Sequence, residues 1–67
     1  MMHKVKSSNI AAVGHDGKAL HVEFTNGSTY RYDGVPATVA RDLRLAASVG
    51  QHFMVHVRNK FKGVKVS

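Results

Sequence analysis

Residues 30–36 of this 67-residue chain read Tyr-Arg-Tyr-Asp-Gly-Val-Pro. Within this stretch an extended segment is expected to end and a helix to begin. Aromatic residues alternating with a charged one are typical of a half-buried strand. The Asp-Gly pair then favours a turn. Pro36 suits the first turn of a helix, because its missing N–H has no intrahelical partner there in any case. The stretch therefore predicts a β-to-α transition.

Two antiparallel hairpins are predicted upstream of this transition. Residues 10–15 are mostly apolar and end at Asp16-Gly17, a pair that tolerates the positive φ angles of a tight turn. Residues 19–24 alternate between apolar and polar, which predicts a strand with one buried face. A second turn at residues 25–28 leads into a returning strand over residues 29–32.

The length of the second turn decides which face of the sheet the tyrosines occupy. A two-residue Asn26-Gly27 loop leaves Tyr30 and Tyr32 opposite the apolar face, whereas a three-residue loop pairs them with Val22 and Leu20. A shift of one residue moves every side chain to the other face. We favour the three-residue loop, because glycine suits its left-handed third position and so small a core needs both rings.

Helical periodicity replaces alternation after Pro36. A first helix is predicted from Val39, Leu43 and Ala46 or Ala47 at helical spacing. A second helix is predicted to open at Ser48, which forms a capping-box pattern with Gln51, and to end at Gly63. Its apolar stripe recurs every four residues, at Val49, Phe53, Val57 and Phe61.

The predicted fold is α+β: a three-stranded antiparallel β-meander followed by two short helices packed on one face (β-β-β-α-α). One domain is expected over residues 9–62, with residues 1–8 and 63–67 as flexible tails. A chain of this length buries only about 60% of the surface that its unfolded form exposes, so every large apolar side chain matters.

Composition narrows the class of protein further. The chain has no cysteine for disulfides or thiolate metal sites, and no apolar run near the ~20 residues of a membrane helix. Its first residues do not resemble a secretory signal, so a cytoplasmic location is expected. The formal net charge is +6, and residues 35–67 hold all but one unit of it. Such asymmetry favours a polyanionic or acidic partner.

Several of these stretches together resemble the KTSC domain family. Tyr30-Arg-Tyr32 before Val35-Pro36, and Ser48-Val-Gly50 further on, carry the resemblance, with residues 7–10, 13–16, 20–24, 27 and 47–53 in support. The family is named after the C-terminus of some lysyl-tRNA synthetases and also occurs as small free-standing proteins. The resemblance spans residues 7–61 and implies the fold described above and an RNA-binding role. His15 and Ala40 stand where many members have aromatic residues.

The cations of the helical half are the first candidate site. We expect Arg41, Arg44, Arg58, Lys60 and Lys62, with Arg31 as an addition, to hold the phosphates of RNA or of another single-stranded nucleic acid. An acidic protein surface is the alternative partner. A solvated face is the third interpretation, since cations at the end of a helix are also favoured by its dipole.

The tyrosines and histidines are weaker candidates. Tyr30 and Tyr32 would stack bases if exposed, but the favoured register turns both toward the core and Arg31 toward solvent. His52 and His56 have a spacing that can hold a metal, yet no further ligand accompanies them, so a solvated flank is preferred and neither metal nor cofactor is expected.

No catalytic arrangement is predicted. The four acidic residues are scattered, and Ser48 is assigned to capping a helix. We therefore expect a non-enzymatic binding module. A monomer is expected, with weak dimerisation through the edge of the strand at residues 29–32 as the alternative.

Overall fold

Five antiparallel strands form one sheet, and a helical layer covers one of its faces. The computed structural model describes residues 2–67. Its strands are β1 (Met2–Lys4), β2 (Ile10–His15), β3 (Ala19–Phe24), β4 (Thr29–Asp33) and β5 (Gly63–Lys65), in that order across the sheet. The helices are α1 (Ala37–Leu45) and α2 (Val49–Phe53), and α2 continues into a π-helical turn (Met54–Arg58). The α+β class and the central meander are confirmed, but the sheet has five strands where three were predicted.

The two additional strands come from the segments that were predicted to be tails. β1 pairs with β2, and β5 pairs with β4. Gly63 therefore begins a strand and does not end a helix, and β4 lies inside the sheet rather than at its edge. A strand of three residues is too short to show an alternation of apolar and polar residues in the sequence. Such strands form because the neighbouring strand offers unpaired N–H and C=O groups.

The predicted register of the central hairpin is confirmed. Leu20 pairs with Tyr32 and Val22 with Tyr30, so both tyrosines face the helical layer. The Phe24 N–H donates to the Ser28 carbonyl at 2.8 Å, which closes the three-residue loop. Gly27 has a φ of 93° in its third position, a left-handed conformation that glycine adopts without steric cost.

The π-helical turn explains how a four-residue apolar repeat stays buried. On an α-helix, each step of four residues rotates the stripe by about 40°. The wider turn at Met54–Arg58, where the Asn59 N–H donates to the Met54 carbonyl at 3.3 Å, counteracts this drift. Val49, Phe53 and Val57 are consequently all buried, and Phe61 is half-buried.

The helix starts differ in detail from the predictions. Pro36 is the residue before α1, in an extended conformation, and the helix begins at Ala37. Ser48 stands at the predicted cap position of α2, but its hydroxyl makes no capping hydrogen bond, so the capping-box prediction is wrong.

The core between the layers is formed by aliphatic side chains and two aromatic rings: Ile10, Val13, Leu20, Val22, Tyr32, Val35, Ala40, Leu43, Val49, Phe53 and Val57.

His15 connects the β2–β3 turn to the start of α1. Its Nδ1 accepts a hydrogen bond from the Gly17 N–H at 3.0 Å, so Nε2 carries the proton and donates to the Val35 carbonyl at 2.6 Å. His15 therefore has a structural role in this domain.

Asp16 organises the same turn. Its Oδ1 accepts hydrogen bonds from the N–H groups of Lys18 and Ala19 at 2.8 and 2.7 Å, and its Oδ2 lies 2.9 Å from Nε2 of His21. The hydrogen bond with His21, followed by those from the backbone, holds the pKa of the Asp16 carboxyl well below its usual range. The carboxylate is thus favoured in the folded protein.

Asp16→Asn is expected to lower the stability at pH 7, because it keeps an acceptor for the backbone but removes the charge. The lowered pKa means that the carboxylate stabilises the fold above its unfolded pKa of about 4, and that this contribution declines as the pH falls further. Thermal unfolding of both proteins at pH 7 and pH 3 is the measurement. An equal difference at both pH values would contradict the role of the charge.

Candidate nucleic-acid interface

Arg31 lies on the face of the sheet that the helices leave open. It pairs with His21 across β3 and β4 and alternates with the two tyrosines that face the helical layer. Its Nε is 3.0 Å from Oδ1 of Asp33, but the geometry does not meet that of a hydrogen bond, so the contact is coulombic. The structure therefore separates Arg31 from the other predicted site residues and partly neutralises it.

Arg41 and Arg44 come together on α1. Both line a cleft of about 190 Å³ between this helix and β2, together with His3 and His15. Arg41 lies 3.4 Å from its sequence neighbour Asp42, whereas Arg44 has no ion pair within residues 2–67. Both side chains are exposed, which gives this cleft a cationic wall.

Arg58, Lys60 and Lys62 follow one another at the end of the helical layer. Arg58 is in the π-helical turn, and the two lysines are in the connection to β5. All three are exposed and form no ion pair among the residues that the structure describes. Arg58 lines a groove that shares no lining residue with the cleft of Arg41 and Arg44. The predicted cations are thus dispersed: Arg41 and Arg44 line one concave site, Arg58 lines another, Lys60 and Lys62 line neither, and Arg31 is on the open face of the sheet.

The tyrosines differ in exposure. Tyr32 is only 6% exposed and belongs to the core, whereas Tyr30 is half-buried at its margin. Burial raises the pKa of the Tyr32 hydroxyl, Tyr30 adds to this, and the positive charge of Arg58 opposes it. The predicted core-facing orientation is confirmed, and Tyr30 retains more accessible surface for a ligand than Tyr32 does.

Four aromatic rings surround the groove beside Arg58. Phe24 meets Tyr30 and Phe53 edge to face, with ring centroids 5.6 and 5.7 Å apart, and Tyr32 meets Phe53 in the same way at 5.4 Å. This aromatic groove has a volume of about 310 Å³ and is lined by Asn9, Phe24, Asn26, Tyr30, Tyr32, Phe53, Met54 and Arg58.

A second groove, the rim groove, continues from the aromatic groove along the edge of the domain. It is lined by residues 6–9, residues 47–51 and Met54, and it shares Asn9 and Met54 with the aromatic groove. The chain at residues 7–9 crosses closely over α2 at Gly50. A Cβ on Gly50 would lie 3.3 Å from Oδ1 of Asn9 and 3.4 Å from Oγ of Ser7.

The aromatic groove was not predicted from the sequence. Its walls come from three distant segments, around Asn9, Phe24 and Met54, and only the folded sheet and the π-helical turn bring them together. One signal was present, because the favoured register places Phe24 on the same face as the tyrosines.

The two histidines of the helical layer stack on each other. The ring centroids of His52 and His56 are 4.3 Å apart with a tilt of 35°. Within residues 2–67, no three His, Cys, Asp or Glu side chains come close enough together to hold a metal ion. In the same part of the chain, no helix has the length and apolar character required to span a membrane.

The fold is that of a small α+β domain in which a five-stranded antiparallel sheet carries a helical layer on one face. The chain belongs to the KTSC domain family, whose pattern matches residues 6–61. The resemblance noted in the sequence is thereby confirmed. A crystal structure of a KTSC domain protein from Yersinia pestis has a TM-score of 0.89 at 31% identity, covering 100% of this chain and 97% of that one.

Relatives of very different lengths contain this sequence pattern. Over 50 residues the chain is 44% identical to a lysine–tRNA ligase of Nostoc punctiforme, a match that covers 75% of this chain but only 9% of the ligase. A protein of Tsukamurella paurometabola is 40% identical over 65 residues, covering 94% of this chain and 97% of that protein. The pattern therefore occurs both in a chain of similar size and within a much longer enzyme.

Proposed function

We propose that this domain is a non-catalytic module that binds RNA through the exposed cations of its helical half. This proposal rests on the observation that most of these cations have no carboxylate partner among residues 2–67. Arg44, Arg58, Lys60 and Lys62 are exposed, and none has a carboxylate within 4.0 Å among residues 2–67. Cations without internal partners leave a positive potential that attracts phosphates and releases their counterions on binding.

The relatives support RNA as the polyanion. The ligase from Nostoc punctiforme acts on tRNA by its name, and the matching segment is a small fraction of its length. A basic accessory domain of this kind would add phosphate contacts without taking part in the reaction. Phosphate contacts of this type supply affinity but little sequence preference. A cytoplasmic location is consistent with this role.

A protein partner is the second candidate, and exposed apolar residues of the helical layer favour it. Leu45 is 67% exposed and Val55 is 48% exposed, and Val55 lines a shallow cleft with the histidine pair. An acidic protein with apolar residues at its centre would complement this surface. Short edge strands that each end in a lysine, Lys4 and Lys65, support a monomer in either case.

The salt dependence of RNA binding tests the leading proposal. We expect mixed-sequence single-stranded RNA to bind with a log–log salt slope of about −0.7 for each phosphate contact. Arg44→Gln and Arg58→Gln should each make the slope shallower by about 0.7, since each removes one contact. Fluorescence anisotropy titrations between 50 and 200 mM salt measure this.

Arg31→Gln is the matched control for these variants. It removes the same charge, but from the open face of the sheet and from a cation already beside Asp33. Its slope should equal that of the unmodified protein. Salt-insensitive binding, or an equal loss with Arg31→Gln, would show that the helical half does not hold the phosphates.

A further inference from the structure

The aromatic groove presents ring surface that the core does not fully bury. Four of the five aromatic residues of the chain surround it. Tyr32 and Phe53 form its inner part and are almost fully buried, at 6% and 4% exposure. Phe24 and Tyr30 lie outside them and remain half-buried, so their rings border the open space of the groove.

The polar groups at the margin of the groove are donors. The Asn26 Oδ1 accepts a hydrogen bond from the Ser28 N–H at 2.9 Å, and the Asn9 Oδ1 accepts one from the Ser7 hydroxyl at 3.3 Å. Both amide oxygens are thus engaged, and neither amide NH₂ has a partner within residues 2–67. The Arg58 guanidinium donates a hydrogen bond to the sulfur of Met54 at 3.3 Å and has no ion pair within residues 2–67. These groups leave donors for a ligand that carries acceptors and negative charge.

The rim groove extends this site toward a second cation. It shares Asn9 and Met54 with the aromatic groove, and its lining also includes Ser7, Ser8 and Lys6. Arg58 lines the first groove, together with the aromatic rings, and Lys6 lines the second. A chain of alternating flat rings and anionic groups would match this sequence of surfaces.

We propose that the two grooves form the path of a single-stranded nucleic acid, with one base stacked on the ring of Tyr30, beside the perpendicular ring of Phe24, and with phosphates of the strand held by Arg58 and Lys6. This inference rests on the proposed function and adds that the RNA is recognised as a single strand. A duplex keeps its bases stacked on each other, so no ring face can enter the groove. Single strands expose their bases, and stacking on aromatic side chains is tolerant of sequence.

Tyr30→Leu tests the stacked base, because it keeps apolar volume at the groove but removes the ring. We expect affinity for single-stranded RNA to fall by about 5- to 150-fold, the range observed when one stacked base is lost. The salt slope should stay unchanged, since no charge is removed. Tyr30→Phe should remain within about twofold of the unmodified protein, because it keeps the ring face. Phe24→Leu repeats the test from the other ring if Tyr30→Leu fails to fold.

A comparison of RNA forms separates this inference from the function on which it rests. A single strand and a duplex of equal length are titrated by anisotropy, and NMR follows the ring protons of Tyr30. The inference is supported if the single strand binds more tightly, shifts those ring protons and loses affinity with Tyr30→Leu. It is overturned, with the RNA function intact, if the duplex binds equally and Tyr30→Leu has no effect. If neither form binds, the RNA function itself fails.

Discussion

Phe53→Ala is expected to leave the domain unfolded or barely folded at 37 °C. The Phe53 ring is 4% exposed and contacts the rings of Phe24 and Tyr32, so it joins the helical layer to two strands of the sheet. Truncation of a buried phenylalanine to alanine costs about 3–5 kcal/mol. A stability of roughly 0.05–0.15 kcal/mol per residue predicts only about 3–10 kcal/mol for this chain. The loss is therefore a large part of the total.

Unfolding by heat and by urea is measured, with circular dichroism as the signal. Val55→Ala is the matched control, because it also truncates an apolar side chain of the helical layer but one that is 48% exposed. It should melt close to the unmodified protein. Phe53→Leu keeps most of the apolar volume and should fall between the two. An unchanged melting temperature for Phe53→Ala would mean that the helical layer does not depend on this ring.

The register of the tyrosines was predictable because a small core leaves little choice. With few large apolar residues, only the three-residue loop puts Val22, Leu20 and both tyrosines on one face, and the structure has this pairing. The four-residue apolar repeat was also a readable signal. The repeat identified the buried stripe correctly. The π-helical turn that keeps the stripe buried could not be predicted, because no residue pattern marks it.

The edge strands and the grooves were not predictable, for a different reason. β1 and β5 are three residues each, too short to show alternation, and they exist because β2 and β4 present unpaired backbone groups. The aromatic groove depends on where the chain at Asn9 crosses the helical layer. The sequence contains the cations but not their relative positions. A single basic surface was therefore expected, whereas in the structure Arg41 and Arg44 line one groove and Arg58 lines another.

Gly63→Ala is expected to destabilise the domain by about 1–3 kcal/mol through overpacking, or roughly 4–25 °C in melting temperature for a domain of this size. Gly63 pairs with Tyr32 across β4 and β5, and the tyrosine ring lies over it. A Cβ at this position would lie 2.7 Å from Cζ and 3.0 Å from the hydroxyl oxygen of Tyr32. The ring is buried against Phe53, so it cannot move aside without loss of packing.

The sign of this effect makes the experiment decisive. Gly63 has no positive φ, so without a clash an alanine here would stabilise the protein by about 0.4–1 kcal/mol, through a less flexible unfolded chain. Val64→Ala, at an exposed position of the same strand, should leave the melting temperature nearly unchanged. Tyr32→Leu combined with Gly63→Ala should destabilise less than the sum of the single changes, because the clash is then absent. A melting temperature of Gly63→Ala at or above that of the unmodified protein would show that β5 does not pack beneath the tyrosine ring.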